Sequence, residues 1–369
     1  MFFIKGFGLR IKPDLRCFGR LGGLLIAAAL NCSASDASAQ QNPAYRIAGV
    51  PTCPDCRIER TLVVEISDRA MPGALSDYAW VHVASDDRYF VVSGLTGEEL
   101  YVADRTGTIQ RRIGRTGQGP GEYRAPIHVV ETGSAFWIVD PKNTRITSLE
   151  KRDFTLQGTR TLPLFPLSSP IEHGTRLILN GMIKGNAAAQ PIHIYSSNGA
   201  LLRSFGADNP NQNATPTSKT MTRVVATGQN GVVWSASPFE YRIEKWDTTG
   251  RRVATYVREL EWFKARTATE SSEGLPHIRR LHEDKDGLLW VEIGIIRQDR
   301  TKTRSVPFDH SRSETYMEII DPSSRRVVAA RRFQGVFGFL ANGGLFESTY
   351  STDKGGLPRV HVWTYELRR

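Results

Sequence analysis

The sequence predicts an all-β fold, a six-bladed β-propeller whose ring is closed by an N-terminal strand. Three observations predict it: a strand–turn plan that recurs in six units, a shared turn before the fourth strand of several units, and a chain that ends one strand short. Many short strands at even spacing, separated by Gly, Asn and Asp turns, are typical of all-β proteins. Units of about 35–55 residues with four strands each are typical of propeller blades.

The repeated units are clearest in their second strands, which are rich in aromatic and β-branched residues. These strands are predicted at 89–92, 136–139, 176–179, 232–235, 288–291 and 345–348. The units begin near Tyr78, Pro126, Leu167, Met221, Ile278 and Gly335. An Asp/Ser-x-x-Gly turn precedes the predicted fourth strand at 104–107, 196–199 and 247–250.

Ring closure is predicted from the two ends of the chain. The last unit supplies only three strands, at Val336–Leu340, Leu345–Thr349 and Val360–Leu367, and a spare strand is predicted at Ile58–Ile66. Pairing the spare strand with the last unit removes exposed edges that would invite aggregation. We therefore expect one propeller domain, residues 58–367, preceded by a short N-terminal segment, residues 40–57.

Residues 1–39 have the pattern of a secretory signal peptide. Basic residues up to Arg20 precede an apolar run, Leu21–Leu30, and Ala37-Ser38-Ala39 then gives the small-x-small motif of a cleavage site before Gln40. A signal anchor is the alternative, although the apolar run is shorter than the about 20 residues that span a bilayer. We expect export to the periplasm or the medium, with no transmembrane segment after signal removal.

Two of the four cysteines remain in the mature chain, in Cys53-Pro54-Asp55-Cys56. In an oxidising compartment this spacing predicts a small local disulfide. A redox-active pair would need a helix after the motif to lower the thiol pKa, but residues 57–66 are predicted to form a strand. A zinc site would need a second Cys/His pair nearby, and none follows.

The net charge of the chain gives little information about its binding partners. The formal net charge is +10, and removal of residues 1–39 takes away five basic and two acidic residues, leaving +7. This excess predicts either an ordinary soluble basic surface or attraction to an anionic partner. No basic run is interleaved with stacking aromatics in the way that nucleic-acid binding needs, so nucleic acid is not an expected partner.

One blade resembles a known repeat. Gly117-Gln118-Gly119-Pro120-Gly121-Glu122-Tyr123, Pro126, Trp137-Ile138-Val139-Asp140 and Asn143-Thr144-Arg145-Ile146 resemble the NHL repeat of six-bladed propellers. The resemblance covers 113–146 well and the other blades only in pattern, and it implies the fold rather than a function. From the residues themselves, Glu122 is expected to hold the glycine-rich linker. Asp140 with Asn143 and Arg145 is either a ligand site or, as we expect, a turn whose side chains bond their own backbone.

A basic ring at one mouth of the central channel is the ligand-site hypothesis. Alignment of the innermost strands places five residues near one equivalent position, namely His82, His128, Arg223, Arg279 and the adjacent Arg280. Arg and His side chains around a channel suit an anionic ligand, because guanidinium groups bind carboxylate or phosphate in bidentate fashion. The alternative is that these residues are scattered over strand ends and form no ring, because a register slip of one residue would turn their side chains away from the channel.

Two functions follow from these observations. The first is an exported, noncatalytic binding protein that holds an unidentified protein or a small anionic ligand and needs no cofactor. The alternative is a metal-dependent hydrolase of the lactonase type, or a lyase, in the central channel. Six-bladed lactonases hold calcium with channel carboxylate and Asn residues; that set has no match at equivalent positions, although four carboxylates fall on one rim, Asp86, Glu131, Glu172 and Glu283.

Overall fold

The structure is a computed structural model that describes residues 43–369 except 77–78, 95–98, 127, 163, 169, 175, 184–189, 197, 208–217, 266–274, 297–312, 335–345 and 354. The predicted signal peptide and the predicted strand Val336–Leu340 lie outside the described residues. Among the described residues, no helix has the length and apolar character needed to cross a bilayer.

The strands form six antiparallel sheets arranged as the blades of a propeller. Two strands come before the first blade, β1 (Ala44–Arg46) and β2 (Arg57–Ser67). Blade 1 consists of β3 (Trp80–Val83), β4 (Tyr89–Ser93), β5 (Glu99–Ala103) and β6 (Ile109–Arg112). The linker to blade 2 contains a short parallel pair, β7 (Arg115–Thr116) and β8 (Glu122–Tyr123). Blade 2 consists of β9 (His128–Glu131), β10 (Ala135–Asp140), β11 (Arg145–Glu150) and β12 (Leu156–Thr161).

The later blades repeat the same order. Blade 3 consists of β13 (Leu164–Pro166), β14 (Ile171–His173), β15 (Arg176–Ile183), β16 (Ile192–Ser196) and β17 (Leu201–Phe205), with β13 and β14 both paired to β15. A short helix, α1 (Ser218–Met221), precedes blade 4, which consists of β18 (Val224–Thr227), β19 (Val233–Ala236), β20 (Arg242–Trp246) and β21 (Arg252–Val257). Blade 5 consists of β22 (His277–Glu283), β23 (Leu289–Ile296), β24 (Ser313–Asp321) and β25 (Arg326–Gln334). Blade 6 contains β26 (Phe346–Thr352) and β27 (Pro358–Arg368).

The N-terminal strand β2 closes the ring, as predicted. It pairs antiparallel with β27 along its length, from Arg57 opposite Arg368 to Ser67 opposite Arg359, and it is the outermost strand of blade 6. Its side chains reach both neighbouring interfaces, because Ile58 packs against blade 5 and Ile66 against blade 1. The first and last parts of the chain are therefore joined by one sheet.

The hydrophobic core is divided among the interfaces between blades. Each pair of neighbouring blades shares its own cluster of buried side chains, from blades 1–2 around to blades 6–1. Between blades 1 and 2, for example, the rings of Phe90 and Phe136 lie 4.6 Å apart, and both are buried. Alternation along a strand turns successive side chains toward opposite neighbours, so each blade contributes to two clusters.

Residues 43–56 form a strap along the outer rim, a feature that the sequence did not predict. Strand β1 pairs in parallel with β21 and gives blade 4 a fifth strand. The backbone N–H groups of Thr52 and Cys53 then donate to the carbonyls of Val327 and Val328 in blade 5, at 2.9 and 3.3 Å. The predicted disulfide between Cys53 and Cys56 is confirmed, and it lies where the strap passes from blade 5 to blade 6.

The two faces of the propeller differ in their connections. On one face, the first strand of a blade turns into the second and the third into the fourth, through tight turns such as 84–88, 104–108, 132–135 and 247–251. On the opposite face, the second strand joins the third and the fourth joins the next blade, and the described parts of these connections include the long segments 113–126 and 258–265. We call these the short-turn face and the long-loop face. Because long loops on a rigid scaffold often carry binding residues, the long-loop face is the better candidate for function.

Candidate functional site

The first strands of the blades surround the central axis. In blades 1 to 5, whose first strands are described, that strand lies at the inner edge of its sheet, and β18 contacts both β14 and β22 of the neighbouring blades. Side chains on these strands are therefore the candidates for a channel site. All five residues of the predicted basic ring lie on, or one residue before, a first strand.

The structure brings His82 and His128 together. Their ring centroids are 6.2 Å apart and their planes are nearly perpendicular, at 86°. The side chain of His82 is completely buried. Burial, with a smaller effect of His82, lowers the pKa of His128 to about 3. His128 is therefore neutral near pH 7, and it does not supply the positive charge that the basic-ring hypothesis assigned to it.

The predicted single level for all five residues is wrong. The turn after the first strand begins at Ala84, Thr132, Gly228 and Asp284, and the backbone N–H of each donates across the turn to the carbonyl of a residue three or four positions later. Counted back from these positions, His82 is the second residue, His128 and Arg280 are the fourth, and Arg223 and Arg279 are the fifth. The sequence alignment placed second-strand aromatic residues in register, whereas the turns set the true register of the first strands.

Arg279 and Arg280 lie together because of a β-bulge. Ile278 pairs with Ile293 and Arg280 with Glu292, so Arg279 is an extra residue in β22. A bulge interrupts the alternation of side chains and re-aims them. As a result both guanidinium groups turn to Glu292: Arg280 Nε donates to Oε2 at 2.7 Å, and Arg279 Nη1 lies 3.8 Å from Oε1.

The carboxylate of Glu292 is ionised although it is buried. Burial alone would raise the pKa of Glu292, but the charges of Arg280 and Arg279, with a hydrogen bond from Arg280, lower it below its usual value. Gly294, on the adjacent strand, makes room for the arginine, because a Cβ there would lie 2.4 Å from Arg279 Cδ. Both guanidinium groups therefore face the carboxylate of Glu292.

Arg223 has a different role at the start of blade 4. Its side chain is 4% exposed, and Nη1 donates to the carbonyls of Thr220 and Thr222 at 3.0 Å. Its backbone N–H donates to Oδ1 of the buried Asn180 in blade 3, also at 3.0 Å. Asn180 also donates to the carbonyl of Met221 at 2.7 Å. These contacts hold the segment that leads into blade 4 against blade 3.

The glycine-rich linker is held by the side chains that the sequence singled out. Glu122 accepts from the N–H of Gly119 and from Arg115, both at 2.7 Å. Arg145 Nη1 donates to the carbonyl of Gln118 at 2.8 Å. At Gly117 the backbone φ is +155°, and a Cβ would lie 2.1 Å from Glu122, so this position requires glycine. The structural interpretation of the linker is confirmed.

Asp140 ends the second strand of blade 2 and organises the turn that follows. Its carboxylate accepts from the backbone N–H groups of Arg124 and Ala125, at 2.9 and 3.0 Å, and from the backbone and side chain of Asn143. The predicted turn bonded to its own backbone is present, and it also fixes the end of the linker. Asp140 and Asn143 are therefore structural residues.

The rim carboxylates lie on the short-turn face, where two of them join neighbouring blades. Glu131 accepts from Ser85 in blade 1, and Glu283 accepts from Gln229 in blade 4. Asp86 pairs with Arg88 in its own turn. Burial raises the pKa of Glu172, and the nearby charge of Lys151 opposes the increase. Among the described residues, no group of three His, Cys, Asp or Glu side chains is arranged to hold a metal ion.

Six sheets, six inter-blade cores and a closing N-terminal strand define the class: the chain is a six-bladed β-propeller protein. Residues 79–177 match the model of the DUF5128 family, described as a 6-bladed beta-propeller. No curated protein matches the sequence.

Two solved structures share the fold at low sequence identity. One is a protein of Bacteroides fragilis NCTC 9343 that is named for its expected export; the identity is 12%, the TM-score 0.56, and the match covers 88% of this chain and 99% of the other. The second is a member of the DUF4221 family from Bacteroides vulgatus ATCC 8482, with 8% identity, a TM-score of 0.59, and coverage of 85% and 99%. At these identities the similarity extends to the fold alone.

Proposed function

We propose that this chain is an exported, noncatalytic binding propeller that holds a small anionic ligand, or an acidic group of a protein partner, at the channel end of blade 5. The observation that carries the proposal is the pairing of Arg279 and Arg280, on the first strand of the blade, with the carboxylate of Glu292 on the second strand. The signal-peptide pattern of residues 1–39 and the name of the Bacteroides fragilis neighbour support export.

The charge balance favours an anion. The three side chains carry one net positive charge and are 9%, 16% and 5% exposed, in the order Arg279, Arg280 and Glu292. A positive charge that is largely removed from water attracts an anion more strongly than one on an open surface. A guanidinium group also matches the planar geometry of a carboxylate.

The rim carboxylates on the short-turn face give the enzyme alternative little support. Glu131 and Glu283 are engaged in bonds between blades, so neither resembles an uncommitted metal ligand or general base. A binding role therefore accounts for the described geometry with fewer additional assumptions.

The test is calorimetric titration of the mature protein with small carboxylates and with phosphate. We expect Arg280→Gln to weaken binding of the best anion at least tenfold, and Glu292→Gln to strengthen it, because the second substitution removes the competing negative charge. Arg105→Gln, which removes the same charge from an exposed turn, is the control. If wild type binds none of the anions, or if the Arg280 and Arg105 variants bind equally, the proposal is wrong.

A further inference from the structure

His82 and His128 form a pair that the proposed anion site does not use. His82 lies on β3 and His128 begins β9, so the two rings come from the innermost strands of neighbouring blades. The pair is created by the packing of the blades, with ring centroids 6.2 Å apart. No local spacing in the sequence indicates it, because the two residues belong to different repeats.

One nitrogen of this pair lacks a hydrogen-bond partner. The Nδ1 atom of His128 is shielded from solvent, and no residue within the described part of the chain bonds to it. Buried side-chain nitrogens nearly always have a partner in native proteins. His193, another buried histidine, follows that rule, because its two ring nitrogens lie 2.8 Å from Ser204 Oγ and 3.1 Å from the carbonyl of Gly181. The orphan nitrogen of His128 thus needs an explanation that His193 does not.

The separation of the two rings is compatible with a shared metal ion. A Zn–N bond of about 2.0–2.1 Å places the ion about 3.2 Å from each ring centroid, so two rings on one ion have centroids up to about 6.4 Å apart. A tetrahedral N–Zn–N angle corresponds to a separation of about 5.2 Å between the ring centroids, and small rotations of the two side chains bring the rings to that separation. The observed 6.2 Å lies within that range.

We propose that His82 and His128 together bind a borderline transition-metal ion, with Zn(II) as the first candidate. Imidazole nitrogens are good ligands for zinc, copper and nickel. Because no third His, Cys, Asp or Glu joins the pair within the described chain, the remaining positions are taken by water or by a donor atom of a ligand in the channel.

The experiment is a titration of chelator-treated mature protein with ZnCl₂, followed by calorimetry, and with CoCl₂, followed by visible absorption. We expect one equivalent of Zn(II) per chain and a cobalt spectrum of low coordination number. His82→Gln and His128→Gln should each weaken zinc binding more than about 100-fold, because each removes a direct ligand, whereas loss of an outer-shell group alone costs about 10–100-fold. His193→Gln is the matched control, as it removes an interior histidine whose nitrogens are already partnered.

Several outcomes would overturn the proposal. Equal zinc binding by wild type and the His82/His128 double variant would mean that the ion binds adventitiously elsewhere. If either single variant fails to fold, ¹⁵N spectra of the wild-type imidazoles replace it: zinc must shift the ring nitrogens of two histidines, and the absence of such shifts disproves the site. The anion titration with the Arg280 variant is independent of all these results, so the two proposals fail separately.

Discussion

Glu131 and Ser85 join blade 2 to blade 1 on the short-turn face. Glu131 Oε2 accepts from the backbone N–H of Ser85 at 2.7 Å, and Oε1 accepts from its hydroxyl at 2.6 Å. The same relationship recurs between blades 5 and 4, where Glu283 Oε2 accepts from the backbone N–H of Gln229 at 3.0 Å. In both cases the carboxylate ends the first strand of one blade and binds the second residue of the equivalent turn in the preceding blade. We infer that this bond is a repeated element of the ring.

We expect Glu131→Gln to lower the free energy of unfolding by about 1.5–3 kcal/mol, the range for a hydrogen bond to a charged group. Glutamine keeps the shape of the side chain but loses the charge that also pairs with Lys151 at 2.8 Å. Urea unfolding at pH 7 measures the change. Glu261→Gln, at an exposed position, is the control and should change the free energy by no more than about 0.5 kcal/mol. Equal effects of the two substitutions would contradict the assigned role of Glu131.

The Glu131 and Glu283 bonds lie in different inter-blade interfaces, so their contributions should add. Distant sites without shared partners usually add within about 0.3–0.5 kcal/mol. Urea unfolding of the Glu131→Gln/Glu283→Gln double variant tests this against the two single variants. If the free energy of unfolding of the double variant falls by much less than the sum of the two single effects, the two interfaces do not unfold together.

Gly228 is required by the bond that Glu283 makes. A Cβ at Gly228 would lie 2.0 Å from Glu283 Oε2 and 2.7 Å from Trp234 Nε1, although the backbone there has an ordinary conformation. We expect Gly228→Ala to destabilise the protein by about 1–3 kcal/mol, as overpacking of a well-packed site does. Gly133→Ala, in the equivalent turn of blade 2, is the matched control, because nothing lies within 4 Å of its Cβ position. In thermal unfolding, the Gly133→Ala variant should therefore have a higher Tm than the Gly228→Ala variant.

The fold was predictable because its signals are local and repeated. Turn residues and aromatic second strands recur in each unit, and the missing last strand has a visible replacement in β2. The strap was not predictable, because Ala44–Arg46 is a short segment whose partner, β21, lies far along the chain. Parallel addition of three residues to a sheet edge leaves no periodic pattern in the sequence.

The candidate site was predictable only in part. The sequence identified Arg279 and Arg280, but their joint orientation depends on a bulge, and nothing in the two arginines themselves indicates one. Glu292 was missed because it lies on the second strand of blade 5, where most of the neighbouring residues are apolar. The sequence placed His82 and His128 near one equivalent position but did not predict their contact, and the two are two positions apart in the register that the turns define.

Ile66 and Leu62 lie on the same closing strand but make unequal contributions. Ile66 is completely buried against blade 1, whereas Leu62 is 44% exposed beside a bulge in β2. We expect Ile66→Ala to cost about 2–5 kcal/mol of unfolding free energy, the range for a buried aliphatic side chain, and Leu62→Ala to cost much less. Urea unfolding measures both. If Ile66→Ala were as mild as Leu62→Ala, the closing strand would not belong to the cooperative core of the ring.

His193 should make stability depend on pH. Burial lowers the pKa of His193, although its bond to the Gly181 carbonyl acts in the opposite direction. Below the unfolded-state value of about 6.5, the unfolded chain therefore binds a proton that the folded chain does not, and the free energy of unfolding falls as the pH falls. One such group contributes at most about 1.4 kcal/mol per pH unit. We expect His193→Gln to flatten the dependence measured by urea unfolding between pH 7 and pH 5, while Ser204→Ala, which removes a partner but keeps the imidazole, retains most of it. An unchanged slope in the His193 variant would assign the pH dependence to other groups.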